Sequence, residues 1–388
     1  MNRTDYETIC AMTLNRVMGY EPAAARRLIS TFGSPGAVFD QSPSALDEAF
    51  GPFSKYRASI CGRELELSAA EYEKILRDGC AFVRFGAPGY PPLLAECPDA
   101  PVGLYIRSVT PPEELFAPRR TISVVGTRDI SPYGREWTER TVTAMSRTTV
   151  KPLIVSGLAI GVDITAHGTA LDCGLPTVAV IPVGIDNVYP ARHRRIAERM
   201  ASTPGCALVT DFPPETSPVA FNFLRRNRII AGLSHATILT ESKAQGGGTM
   251  TARLAASYGR EVFALPGRMD DLRSAGCNRL ILEKLAEPLA EPSGLASQLG
   301  LGSAGSRRGP AFEESVRSCY AHAGAETAGR LVAIAMAIRA NRGIAPEEIC
   351  RLLDMDFGSV SAAVCLLESD GFITTDLLQR CTINRKMY

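Results

Sequence analysis

Three arginines fall within four residues at Arg225, Arg226 and Arg228, directly after Phe221 and Phe223 and interrupted only by Asn227. On a helix Arg225 and Arg228 share a face, while Arg226 points elsewhere. Guanidinium groups hold phosphates, and a base stacks readily on an exposed ring beside them, so this composition suits single-stranded nucleic acid. The alternative is a solvated cationic patch with both phenylalanines in the core. For Phe221 a core position is expected.

Three glycine turns offer related chemistry. Ser123-Val124-Val125-Gly126-Thr127-Arg128 reads as a buried strand ending in a sharp turn. Arg128 then either presents its donors to a phosphate or pairs locally with Asp129 or Glu136. Ile154-Val155-Ser156-Gly157, leading to Gly161-Val162-Asp163, is again strand, turn and helix, with backbone N–H groups at the helix start that can accept an anion. Asp163 and His167 stand at i, i+4, as an acid–base pair or, more commonly, a polar brace. Gln245-Gly246-Gly247-Gly248-Thr249 leaves bare amides before a helix, suited to phosphate contacts or only to a tight turn. Neither GxGxxG nor GxxxxGK[ST] occurs, so the usual dinucleotide or P-loop chemistry is not expected.

The elements that must position these groups follow from patterning. From about Arg120 to Leu280, apolar β-branched runs (TISVVG, PLIVSG, TVAVIPVG, ALVTDF, ATILTE, EVFALPG) alternate with helical stretches. That alternation predicts an α/β fold, a parallel sheet with helices on both faces. Ligands of such sheets collect beyond the carboxyl ends of the strands, where all four motifs would lie. The expected organisation is a small helical module over 1–78, the sheet domain over 79–287, a flexible Pro/Gly/Ser/Ala-rich linker over 288–310, and three helices with a terminal hairpin, a winged-helix arrangement, over 311–388.

The chain has 388 residues and a formal charge of +1, which excludes a protein basic throughout but leaves room for a local basic groove. Its start lacks the pattern of a secretory signal, and no apolar run is long enough to span a membrane, so a cytoplasmic protein is expected. Eleven cysteines occur with no two within four residues, which predicts reduced thiols and no zinc site. No cofactor or metal is expected.

In their order, VVGTR…SPYG, IVSGLAIGVDITAH, GLPTVAVIPVGIDNVYPARHRRIAERM, DFPPETSP…RNRIIAGLS, GGGTMTARLAASYGREVFALPG and AGCNRLI closely resemble the DNA-processing protein A family (DprA, also called Smf). The resemblance runs from about Tyr90 to Ala286. It implies an extended Rossmann-like domain that binds single-stranded DNA without catalysing a reaction on it. It further implies a homodimer acting in natural transformation, which protects incoming strands, helps load the RecA recombinase and displaces single-strand-binding protein. The N-terminal module resembles the family's sterile-alpha-motif or helix-hairpin-helix-like region, and the tail its optional winged helix. By the family pattern Arg128 holds a backbone phosphate and Phe223 contacts a base. Arg226, Asn227 and Arg228 match the RNR motif, and Gly247, Gly248 and Thr249 the glycine loop.

The sequence departs from that pattern in places. Ala220 stands where many relatives carry lysine, which leaves Arg225 as the nearest compensating cation, and Leu224 replaces a proline. GGGTMTA replaces the commoner SGSLITA. An enzymatic alternative exists, since nucleotide N-glycosidases and ligand sensors share this kind of fold. Those hydrolases place a glutamate a few residues into the helix after the loop, where this chain reads Thr249-Met250-Thr251-Ala252-Arg253. Finally, residues 311–388 hold eight Lys/Arg against ten Asp/Glu, and the helix expected over Ser359–Asp370 has no cation. Duplex binding needs phosphate neutralisation, so a protein-contact or regulatory role is expected for the tail.

Overall fold

The computed structural model describes residues 2–51, 54–60, 62–117, 119–302, 312–341, 343–376 and 379–384, without the side chains of 293 and 297. Nine strands form one sheet: β1 (Cys80–Arg84), β2 (Gly103–Arg107), β3 (Thr121–Val125), β4 (Leu153–Ser156), β5 (Thr177–Val180), β6 (Ala207–Thr210), β7 (Ala236–Leu239), β8 (Glu261–Ala264) and β9 (Glu287–Pro288). Their order is β1-β2-β6-β5-β4-β3-β7-β8-β9. From β6 to β9 every pairing is parallel, whereas β1–β2 and β2–β6 are antiparallel. Every residue of β3 to β7 is buried, as the unbroken apolar runs require of strands covered on both faces. The chain order reverses at β3, where β4 lies on one side and β7 on the other. Such a switch point opens a crevice above the strand ends.

Two expectations about organisation need correction. The N-terminal helices do not form a separate body. Met12, Leu14, Met18, Leu28 and Val38 share one apolar core with Phe82, Tyr105, Ile181 and Leu208 of the sheet region, so residues 1–305 cluster as a single unit. Nor does a linker begin at 288. Pro292–Gln298 is a helix, and Leu295, Leu299 and Leu301 are buried against Val142 and Met145 of the Pro132–Ser146 helix. The small-residue composition concealed the leucines at 295, 299 and 301 that face inward. The rest of the expected linker, 303–310, lies outside the described residues.

The second unit comprises helices Phe312–Cys319, Ala325–Ala340, Pro346–Leu353 and Phe357–Ser369, followed by antiparallel strands Ile373–Thr375 and Cys381–Ile383. It has its own core around Leu331, Ile338, Ile349, Val360 and Leu367. Arg342, Arg385 and Lys386 of the charge count lie outside the described residues. Ten cysteines are described, all as free thiols. Among the described residues no helix is long and apolar enough to cross a membrane, and no cluster of three or more His, Cys, Asp or Glu could hold a metal ion.

Candidate nucleic-acid interface

A cleft of 690 Å³ opens at the switch point, between the turns after β3 and β7 and the Ala220–Gly232 helix. Its walls include Gly126, Thr127 and Arg128 from the first turn, Ser242, Lys243 and Gln245 to Gly248 from the second, and Phe223, Arg226 and Asn227 from the helix. Glycines let these walls meet. A Cβ on Gly248 would come within 2.9 Å of the Gly126 Cα and 2.8 Å of the Leu239 Cδ1, so backbone packs directly on backbone here.

At the mouth Arg128 is exposed, and its guanidinium lies 4.8 Å from the centroid of the Phe223 ring. Tyr189 meets the same ring edge-on at 5.4 Å. Arg128 takes neither of its expected local partners, because Asp129 pairs with Arg273 at 3.0 Å and Glu136 with Arg140 at 3.4 Å. Lys243, also exposed, lines the cleft from the glycine turn, and neither it nor Arg128 has an ion pair among the described residues. Lys243 and Tyr189 were missed in the sequence reading. A lysine immediately ahead of a glycine turn was the available signal for the first.

Arginines 225, 226 and 228 divide as helical geometry requires, but all three point inward. Arg226 is 4% exposed and donates to the carbonyls of Gly157 (2.6 Å) and Val180. Any side chain at position 157 would collide with this guanidinium, which is why the turn is glycine there. Burial pushes the Arg226 guanidinium down to about 10, against the opposing influence of Asp163. Arg225 and Arg228 both bond Asp211 Oδ2, at 2.9 and 2.5 Å, and reach the carbonyls of Gly19 and Asp99 respectively. Burial lowers the Arg225 pKa, partly offset by the Asp211 carboxylate. The cation expected to stand in for a lysine at Ala220 is therefore already committed.

The anion expected at the β4 turn is supplied by the chain itself. Asp163 Oδ2 accepts the amides of Gly157 (3.1 Å) and Ala159 (3.4 Å), and burial raises its pKa despite the Arg226 charge. Ser156 is buried and donates to the Val124 carbonyl at 2.6 Å. Thr249 is buried and donates to the Lys243 carbonyl at 2.9 Å. The structure thus gathers Arg128, Phe223, Arg226, Asn227, Gly247 and Gly248 at the cleft. It places Ser156, Gly157, Arg225, Arg228 and Thr249 behind it, where they hold the walls.

Asp163 and His167 bond elsewhere, in keeping with a brace. Thr177 Oγ1 donates to the Ile154 carbonyl and so accepts from His167 Nδ1 at 2.8 Å, while the buried His167 Nε2 has no hydrogen-bond partner among the described residues. Burial, then the Arg226 and His193 charges, push this histidine down to about 3. The unfolded chain binds the proton below about pH 6.5 and the folded chain does not, so stability is complete above that pH. It falls by up to about 1.4 kcal/mol per pH unit as pH drops toward 3. Urea midpoints of His167→Gln should lose this part of the acid dependence. Parallel pH profiles for the two proteins would contradict it.

Similarity to known proteins fits this geometry. Residues 81–300 match the family described as DNA recombination-mediator protein A. The chain is 32% identical over 284 residues to Protein Smf of Synechocystis, covering 73% of this chain and 70% of that one. The crystal structure of DNA processing protein A from Streptococcus pneumoniae superposes with a TM-score of 0.64 at 29% identity, over 77% of this chain and 99% of that one. DNA processing protein A from Helicobacter pylori, whose structure is described for its single-stranded DNA binding mode, gives 0.50 at 25% identity, over 57% and 95%.

Proposed function

Because the chain belongs to the DNA recombination-mediator protein A family, we propose that its cleft binds single-stranded DNA. One observation carries this reading: an exposed arginine laid over an accessible phenylalanine, with an unpaired lysine on the facing turn. Phosphates are held at the rim by Arg128 and Lys243, and a base stacks at Phe223 beside Tyr189. The Gly247 and Gly248 amides at the helix start supply neutral donors, and Asn227 an amide within reach of a base edge.

The buried residues give the cleft its shape without adding charge, and the reading requires no group to act as acid, base or nucleophile. Relatives named as DNA processing proteins support this reading. We extend this to a cytoplasmic homodimer that protects incoming strands in natural transformation and helps load RecA against single-strand-binding protein. The second unit, whose helices and hairpin suit a winged helix, contacts proteins, in line with its acidity.

Binding to oligothymidylate across a salt series tests the core of this reading. Each phosphate contact on single strands contributes about 0.7 to the slope of log K against log salt. Arg128→Ala and Lys243→Ala should each flatten the slope by about that amount. Unchanged slopes in both variants would rule out the rim as the phosphate site.

A further inference from the structure

Phe221 contradicts its expected place in the core, because it is 60% exposed. It lies against Tyr20, also 60% exposed, with ring centroids 5.9 Å apart and planes tilted by 35°. The two rings come from distant segments, one just past the Arg3–Met18 helix and the other in the first turn of the Ala220–Gly232 helix. Large aromatics normally bury their area, so an adjacent pair left open by two separate elements is not explained by packing.

Two observations point to what would cover them. Leu224, 46% exposed, lines the cleft and is the i+3 neighbour of Phe221, so the pair continues the cleft's edge without a break. The Arg225 guanidinium lies 4.4 Å from the Tyr20 centroid and also pairs with Asp211, which it shares with Arg228, so the ring is backed by a cation held in place from behind. A ring backed in this way, with a second open ring beside it, suits a flat, polarisable surface such as a nucleobase.

We propose that Tyr20 and Phe221 form a second base-stacking platform, outside the cleft, for nucleotides of a single strand that runs on past Leu224. The platform rests on the reading of the cleft as a single-strand site. It gives the N-terminal helices a direct part in binding.

The test uses the full-length chain and oligothymidylates from about 4 to about 20 nucleotides, the range of single-strand site sizes. Tyr20→Ala and Phe221→Ala should each weaken binding of the longest oligomer by about fivefold or more, the lower end for loss of one stacked base. Binding of the shortest oligomer that the wild type retains should stay within about twofold. Phe221→Trp should restore the length dependence, and Phe221→Leu, which keeps an apolar surface, should not. A 2-aminopurine placed beyond the cleft-filling length should be quenched by the wild type and not by Phe221→Ala.

If the wild type binds and the variants match it at every length, the platform is wrong while the cleft stands, and the pair is left as a protein-contact surface. Equal losses at all lengths also overturn it, since the rings would then act through the cleft. If the wild type binds no single strand, the cleft reading fails and the platform fails with it.

Discussion

Asp211→Ala is expected to destabilise the protein by about 3–5 kcal/mol, the range for removing one partner of a buried ion pair. Asp211 has a fully buried side chain just past β6, and its Oδ2 is the shared acceptor of Arg225 and Arg228. Alanine leaves two nearly buried guanidinium groups facing each other with no countercharge. Small domains are stable by only about 5–15 kcal/mol, so a loss of this size is a large fraction of the whole. The Asn15 amide bonds the Asp211 backbone carbonyl at 2.7 Å and Arg225 reaches the Gly19 carbonyl, so damage here reaches the N-terminal helices as well. The measurement is the urea midpoint of the variant against wild type, with Arg228→Ala and the double variant completing a cycle. A strongly favourable coupling energy is expected. A midpoint indistinguishable from wild type would show that the triad contributes little.

Phe223→Ala should have the largest effect on binding. Loss of a stacked base costs about 1–3 kcal/mol, or roughly 5- to 150-fold in affinity. The ring also supports Arg128 from 4.8 Å, so its removal frees that guanidinium as well. Phe223→Ala and Arg128→Ala should therefore combine less than additively. Fluorescence anisotropy with a labelled oligothymidylate at fixed salt reads both effects. Full additivity would mean that the two side chains act independently, and unchanged affinity in Phe223→Ala would remove the ring from the site.

Much of this architecture is legible in the residues. The apolar runs from Thr121 to Ala264 match the strands, and the glycine turns lie at their carboxyl ends as the patterning requires. The antiparallel direction of β1 and β2 depends on pairing with β6, which local sequence does not encode. The larger error concerned the arginines. A cationic run looks solvated because the groups that neutralise it are remote: Asp211 lies 14 and 17 residues upstream of its two partners, and the carbonyls that hold Arg226 come from the β4 turn and β5. Phe221 failed for the opposite reason, since burial of an aromatic depends on a neighbouring surface that the sequence does not show. The placement of Arg128 and Phe223 at the cleft was legible because each needed only the strand end or helix it sits on.

The shortest strand has a consequence for assembly. β9 is two residues long, both exposed, and one is Pro288, which has no N–H to offer. A sheet edge normally presents a row of donors and acceptors that can template another chain, and prolines and very short strands are the usual way to blunt it. On this side the nine-stranded sheet cannot be continued by a second copy through backbone pairing. A dimer using this edge must be built from side-chain packing, which protects the folded protein from growing into fibres by strand addition there.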